Sequence, residues 1–103
     1  MYEVIYTGQF KRSLKLCVRR GLDVTIFTKA LDILQAKGEL PQEYKPHKLQ
    51  GKYKGCWECH LQPDWLLIWQ QNDNQLYLIL VDTGTHSDVF KRRLPINQKK
   101  VSK

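Results

Sequence analysis

The sequence has no long apolar run, which excludes a membrane-spanning helix. Its apolar segments, such as Leu78 to Val81, are far shorter than the roughly 20 residues that a bilayer requires. The N-terminus also lacks a basic segment, an apolar core and a small-residue cleavage site, so we expect no secretory signal and a cytoplasmic protein. With 103 residues, 42% of them hydrophobic, the chain has the length and composition of one globular domain.

Cysteine is scarce, and its pattern argues against disulfides and bound metals. Cys17, Cys56 and Cys59 are an odd number in a chain without an export signal, so they are expected to be thiols. Residues 56–60 match the C-x-x-C-H pattern of c-type haem attachment, but Met1 is the only methionine available as an axial ligand. A structural zinc site would need a second pair of closely spaced ligands, which is missing. We therefore expect no haem, no structural metal and no cofactor. On a strand, residues 56 and 59 would face opposite sides, one buried and one exposed.

Acidic residues are few: 10 Asp and Glu stand against 17 Lys and Arg, giving a formal net charge of +7. The basic excess lies in residues 10–54 and 91–103, whereas residues 55–90 contain no Lys or Arg. A basic rim around a neutral to acidic centre suggests a polyanionic partner, although any single charged run could equally be a solvated surface. Residues 91–103 contain Pro95 and little hydrophobic content, so we predict a flexible basic tail.

The periodicity of apolar residues predicts an α+β fold with the element order β-α-α-β-β-β. A first strand ends before Thr7, which can cap a helix that Gly21 ends, and Asp23 can cap a second helix that Gly38 ends. The apolar stripes of these helices are Phe10, Leu14, Cys17 and Val18 in the first, and Phe27, Ala30, Leu31 and Leu34 in the second.

Three strands are predicted over residues 56–61, 65–71 and 75–81. The turns between them are residues 62–64 and 72–74, which are rich in Pro, Asn and Asp. We expect an antiparallel sheet with the helical hairpin packed on one face, which leaves the other face or its rim for a ligand. Residues 82–88 are predicted to form a polar turn after the last strand.

Three histidines are candidates for proton transfer, since the predicted strands bring His47, His60 and His86 near one another. Asp64 and Trp65 lie across a turn from His60. Histidine titrates near neutrality, so such a cluster with one carboxylate and basic neighbours suits proton transfer at a phosphodiester. Simpler interpretations remain open at each position: an ordinary sheet residue, a surface residue, a turn former, or a core residue in the case of the tryptophan.

Three ordered motifs resemble the YafQ family of bacterial toxins, within the wider RelE/ParE superfamily. They are His47-Lys48-Leu49-Gln50-Gly51, the segment from His60 to Ile68, and the segment from Thr83 to Phe90. The resemblance implies a RelE-like domain over residues 1–90. It further implies an mRNA interferase of a type II toxin-antitoxin pair, which cleaves messenger RNA on the ribosome and is neutralised by a cognate antitoxin. The family's catalytic positions fall on His47, His60, Asp64 and His86, its tryptophan on Trp65 and its C-terminal aromatic residue on Phe90.

The implied mechanism is metal-free attack by the ribose 2′-hydroxyl. His86 is the expected general acid, and Asp64 or His60 the base or its orienter. His47 is expected to hold the scissile phosphate with the nearby lysines Lys48, Lys52 and Lys54. Phe90 or Trp65 would stack on a base. Lys11, Lys15 and Arg19 on the first helix would contact ribosomal RNA.

The alternative is a protein of the same fold without catalysis, either a ParE-like toxin or an RNA-binding module. ParE-like relatives typically lack this histidine set. The three histidines and Asp64 therefore favour the nuclease.

Overall fold

A computed structural model describes residues 1–91 as two helices packed on a five-stranded sheet, with a third helix on the opposite face. The strands are β1 (Glu3–Tyr6), β2 (His47–Lys48), β3 (Trp57–Gln62), β4 (Trp65–Asn72) and β5 (Tyr77–Gly84). The helices are α1 (Gly8–Arg19), α2 (Val24–Lys37) and α3 (His86–Lys91). The α+β class and the predicted element order are confirmed, with β2 and α3 as additions.

The sheet is mixed, in the order β1-β5-β4-β3-β2. The predicted hairpins β3–β4 and β4–β5 are antiparallel, but β1 pairs parallel with β5, so that Val4 lies beside Leu78. The prediction of a wholly antiparallel sheet was therefore wrong at this edge. Turn residues predict pairing between consecutive strands, whereas no local pattern encodes pairing between segments more than 70 residues apart.

The predicted helix caps are present. The Thr7 hydroxyl oxygen accepts from the N–H of Phe10 at 3.1 Å, and Asp23 accepts from the N–H of Thr25 at 2.9 Å. Gly38 ends α2 with a φ of 74°, a left-handed conformation that glycine adopts without a steric penalty. The sequence thus marks where α1 and α2 begin and where α2 ends.

The buried stripe of α1 differs from the predicted one. Val18 is exposed, whereas Ser13 is buried. The hydroxyl of Ser13 donates to the buried carboxylate of Asp82 on β5 at 2.6 Å. A hydrogen-bonded polar side chain is tolerated inside a protein, which apolar periodicity alone does not reveal. The stripe of α2 is confirmed, since all four of its predicted residues are buried.

Alternate residues of β3 face two different apolar clusters. Cys59 and Leu61 belong to the main core between the sheet and α1–α2, whereas Cys56, just before β3, packs with Tyr53, Ile68 and Val89 on the other face. Both cysteines are therefore buried, and the exposed position predicted for one of them was wrong, because α3 and the turn before β3 cover that face. Burial raises the pKa of the Cys59 thiol to about 12.

The end of the described chain also differs from the prediction. β5 continues to Gly84 and α3 begins at His86, so the predicted turn over residues 82–88 contains a strand end and a helix start. The predicted basic tail lies, beyond Lys91, outside the described residues. Across residues 1–91, no helix has the length and apolarity to cross a membrane.

Candidate active site

The candidate site lies on the sheet face opposite α1 and α2. His60 is an even-numbered residue of β3 and faces away from the main core, Asp64 lies in the two-residue turn between β3 and β4, and His86 is the first residue of α3. The strand register places His60 opposite Leu66, and Leu66 opposite Gly84. The ring centres of His60 and His86 are consequently 5.8 Å apart, although 26 residues separate them in sequence.

Asp64 holds His86 through two hydrogen bonds. Its Oδ1 accepts from the backbone N–H of His86 and from the Nδ1 of the same residue, both at 3.1 Å. The backbone hydrogen bond, followed by that of the imidazole, lowers the pKa of the Asp64 carboxyl, which therefore stays ionised near neutral pH. A proton placed on Nδ1 leaves the Nε2 of His86 for chemistry. Both side chains are accessible, with 67% of Asp64 and 55% of His86 exposed.

His60 has a comparable tautomeric constraint. Its Nδ1 lies 3.3 Å from the carbonyl oxygen of Pro63, an acceptor that fixes a proton on Nδ1 and leaves the lone pair on Nε2. The turn that carries Asp64 therefore orients both imidazoles, one through a carboxylate and one through a main-chain carbonyl. Two neighbouring histidines with available Nε2 atoms can accept a proton and donate one in the same reaction.

His47 is held between two acceptors. Its Nε2 lies 3.0 Å from Oε1 of Glu58, its partner across the β2–β3 ladder, and its Nδ1 lies 2.9 Å from the carbonyl oxygen of Lys45. A ring that donates to both acceptors carries two protons and a positive charge. His47 is therefore fixed in orientation by two contacts, and it transfers a proton only by giving up one of them.

Glu58 is a site residue that the sequence analysis missed. Its carboxylate is buried, and Oε2 has no hydrogen-bond partner among residues 1–91. The alternation of β3 could have revealed it, because Glu58 lies between Cys56 and His60 on the face turned away from the main core. A buried acidic side chain at such a position needs a hydrogen-bond partner, which the His47 imidazole provides.

Phe90 and Lys52 complete the corner of the site next to His86. Phe90 lies one helical turn after His86, with ring centres 6.0 Å apart and planes inclined by 29°, and it is 39% exposed. The ring of Tyr53 meets it edge-on at 5.8 Å. The ammonium of Lys52 donates to the carbonyl oxygen of Phe90 at 3.2 Å. An aromatic face and a cation therefore adjoin the histidine pair.

Two predicted RNA-contacting residues lie elsewhere. Trp65 is only 1% exposed, and its indole N–H donates to the Thr83 hydroxyl at 2.9 Å, so its ring has no face open to a base. Its predicted stacking role is corrected to support of the strands that carry the site. The ammonium of Lys48 lies over the ring of Trp57 at 5.7 Å, on the face opposite to His47, because neighbouring strand residues alternate.

The remaining predicted basic residues are solvent-exposed. Lys54 ends the short 3₁₀ turn Gly51–Tyr53 that precedes β3. Lys11, Lys15 and Arg19 recur every four residues on α1 and form one exposed stripe, on the side of the sheet away from the histidines. The stripe can contact a macromolecule without covering the candidate site.

Within residues 1–91, no three His, Cys, Asp or Glu side chains converge closely enough to bind a metal ion. The C-x-x-C-H pattern does not form a common site, since Cys56 and Cys59 face opposite sides of the sheet.

Comparison with known proteins identifies the family of the chain. The family described as bacterial toxin of type II toxin-antitoxin system, YafQ, matches residues 2–91. The mRNA interferase toxin YafQ of Escherichia coli K12 is 35% identical over 89 residues, which cover 85% of this chain and 95% of that protein.

Solved structures of similar proteins share the fold. YafQ in the E. coli DinJ-YafQ toxin-antitoxin complex superposes with a TM-score of 0.77 at 34% identity, covering 86% of this chain and 97% of that one. A metal-bound toxin from Helicobacter pylori superposes with a TM-score of 0.79 at 36% identity, covering 87% of this chain and all of that one. The chain belongs to the YafQ family of bacterial toxins of type II toxin-antitoxin systems.

Proposed function

We propose that this protein is the toxin of a toxin-antitoxin pair and cleaves messenger RNA bound to the ribosome in the cytoplasm. The observation that carries the proposal is the cluster of the half-buried His60 with the exposed Asp64 and His86, in which two imidazoles with available Nε2 atoms lie 5.8 Å apart. The name mRNA interferase borne by the E. coli relative supports the substrate, and the DinJ-YafQ complex supports a cognate antitoxin as partner.

The proposed reaction is attack by a ribose 2′-hydroxyl on the adjacent phosphate. Nε2 of His60 removes the hydroxyl proton, the new O–P bond closes a 2′,3′-cyclic phosphate, and the bond to the 5′-oxygen breaks. Nε2 of His86, protonated at the start, donates its proton to that leaving oxygen. His60 ends protonated and His86 neutral, so the proton count balances.

Asp64 orients the acid and balances its charge. Because the pKa of Asp64 is lowered by two bonds to His86, the carboxylate is a weak base, and we assign it the positioning role that the sequence analysis left open between base and orienter. It fixes the His86 tautomer and stabilises the imidazolium that donates the proton.

Charge on the phosphate is met by cations around the two histidines. In the proposed reaction His47, fixed by Glu58 and by the carbonyl of Lys45, acts in its protonated form and supplies a positive charge. Lys52 lies at the Phe90 corner, and Lys54 is solvent-exposed before β3. Phe90 offers the partly exposed ring on which a base can stack.

The ribosome supplies the specificity that a 12.2 kDa domain lacks. The stripe of Lys11, Lys15 and Arg19 lies across the sheet from the histidines, so it can contact ribosomal RNA phosphates while the site faces the messenger. Phosphate contacts position a protein without reading sequence.

The decisive experiment is expression in bacteria of the parent and of His86→Ala, with RNA 5′ ends mapped. The parent should arrest growth and cleave translated messages, whereas His86→Ala should do neither, since a proton-transfer group contributes about 10²- to 10⁴-fold. Ser87→Ala, an exposed neighbour on α3, is the matched control and should behave as the parent. Growth arrest by folded His86→Ala without RNA cleavage would instead favour a non-catalytic, ParE-like toxin.

A further inference from the structure

The helix α3 carries two residues of the candidate site and is itself only six residues long, from His86 to Lys91. On the sheet side, Val89 anchors it in the small apolar cluster. At its start, Thr85 and Asp88 form a reciprocal cap: the Thr85 hydroxyl accepts from the N–H of Asp88 and the Asp88 carboxylate accepts from the N–H of Thr85, both at 3.0 Å. A helix this short has little rigidity of its own, so its position depends on such contacts.

A further contact comes from α1, on the other side of the sheet. The guanidinium of Arg20 forms a bidentate ion pair with the Asp88 carboxylate, with Nη1 2.6 Å from Oδ2 and Nη2 3.3 Å from Oδ1. Arg20 is itself well placed, because its backbone N–H bonds the last turn of α1 and Gly21, with a φ of 96°, ends the helix behind it. The bridge thus connects a residue held by a twelve-residue helix to the short helix that bears His86 and Phe90.

We propose that the Arg20–Asp88 bridge is a positioning device for catalysis, which sets α3 so that His86 and Phe90 face His60 correctly. This rests on the function proposed above. Neither residue touches the substrate in this scheme, and both act through His86.

Three observations favour placement over simple surface stabilisation. The Asp88 side chain is 17% exposed and the bridge is two-pronged, a geometry more specific than that of a typical surface ion pair. Arg20 and Asp88 line one cleft of about 400 Å³ together with Asp64, so the bridge adjoins the carboxylate that holds His86. The charge of Asp88 also acts on Asp64, where it opposes the hydrogen bonds from His86 that lower the pKa of that carboxyl, so the bridge and the site carboxylate are electrostatically coupled.

The Arg20–Asp88 bridge stays charged on both sides near neutral pH. The hydrogen bond from Arg20 is the largest cause that lowers the pKa of Asp88, to about 2, so the carboxylate remains charged in any assay near neutral pH. Mild acid therefore does not weaken the bridge, and an experiment must weaken it by substitution or by salt.

The test uses four variants of the full chain: Arg20→Met, Asp88→Asn, their combination, and Arg20→Lys. Methionine keeps most of the arginine stem and removes the charge, while asparagine keeps an acceptor for the N–H of Thr85. Arg12→Met, which removes one exposed arginine charge from the same helix, is the matched control. Cleavage of messenger RNA on programmed ribosomes gives kcat and KM, and thermal unfolding verifies that each variant is folded.

Arg20→Met and Asp88→Asn should each lower kcat by about 10- to 100-fold with KM unchanged, since misplacement of a catalytic group by about 1 Å has an effect of this size. The combined variant should lose no more than the stronger single variant, because both substitutions break one contact. Arg20→Lys should recover part of the loss. Equal kcat in Arg20→Met and Arg12→Met, or losses that multiply in the combined variant, would overturn the proposal.

A failure of the proposed function is distinguishable from a failure of this inference. If the parent cleaves no RNA, amide hydrogen exchange over residues 85–91 still tests the bridge. Faster exchange in Arg20→Met than in Arg12→Met supports a positioning role for Arg20, and equal exchange in the two variants contradicts it.

Discussion

The two faces of the sheet are built from alternate residues of the same strands, yet one is an apolar core and the other carries ionisable side chains. One face packs Cys59, Leu61 and Trp65 against α1 and α2 in a continuous apolar core. The other carries the half-buried His60 and buries the Glu58 carboxylate against His47, with a small apolar cluster under α3. Alternate residues of one strand therefore serve the core and the candidate site, and packing of the core face fixes the position of the site residues.

The largest effect on the polar face is expected for His60→Ala. Loss of the proposed base should reduce RNA cleavage by about 10²- to 10⁴-fold while thermal stability changes little, because His60 lies on the sheet face turned away from the main core. Cleavage rates on programmed ribosomes and a melting curve measure the two quantities. Gln70→Ala, an exposed residue of β4, is the control. Undiminished cleavage by His60→Ala would remove His60 from the mechanism.

The core face should respond in the opposite way to Trp65→Ala. Removal of a fully buried indole that also donates to Thr83 should lower the free energy of unfolding by about 3–5 kcal/mol. Denaturant titration measures the loss. Trp65→Phe, which keeps an aromatic ring, should lose less. If Trp65→Ala were as stable as the parent but failed to bind RNA, the corrected assignment of Trp65 to the core would be wrong.

Cys56 and Cys59 lie three residues apart on opposite faces of the sheet, so the same substitution can be compared between the two faces. Cys59→Ser places a hydroxyl in the main core and should cost about 1–3 kcal/mol, whereas Cys56→Ser lies in the smaller cluster and should cost less. Both variants should retain RNA cleavage when folded, because neither thiol is proposed to take part in it. Loss of cleavage in a folded Cys56→Ser variant would show that the thiol belongs to the site.

The smallest effect is expected for the exposed stripe on α1. Replacement of Lys11, Lys15 and Arg19 by Gln should weaken ribosome binding and flatten its dependence on salt, since fewer counterions are released. Stability should be nearly unchanged. Ribosome pelleting across a salt series measures the effect, with replacement of the exposed Lys29 and Lys37 of α2 by Gln as the control. An unchanged salt slope would show that the stripe serves another partner.

Much of the fold follows from local patterns in the sequence. Thr7, Asp23 and Gly38 mark helix ends through their own backbone and side-chain preferences, and Pro63 with Asp64 marks a tight turn. The family resemblance, carried by three short motifs, is confirmed by the match over residues 2–91. These features were predictable because each depends on residues within a few positions of one another.

Local sequence patterns are therefore enough to predict the α1–α2 hairpin and the β3–β4–β5 meander, and the family motifs are enough to name the proposed proton-transfer residues. The parallel pairing of β1 with β5, the burial of Trp65, the Glu58–His47 contact and the Arg20–Asp88 bridge become visible in the folded protein alone. The reason is distance along the chain. Arg20 and Asp88 are 68 residues apart, so no periodicity or turn preference connects them, and their contact exists only once the core has brought α1 and α3 to the same end of the sheet.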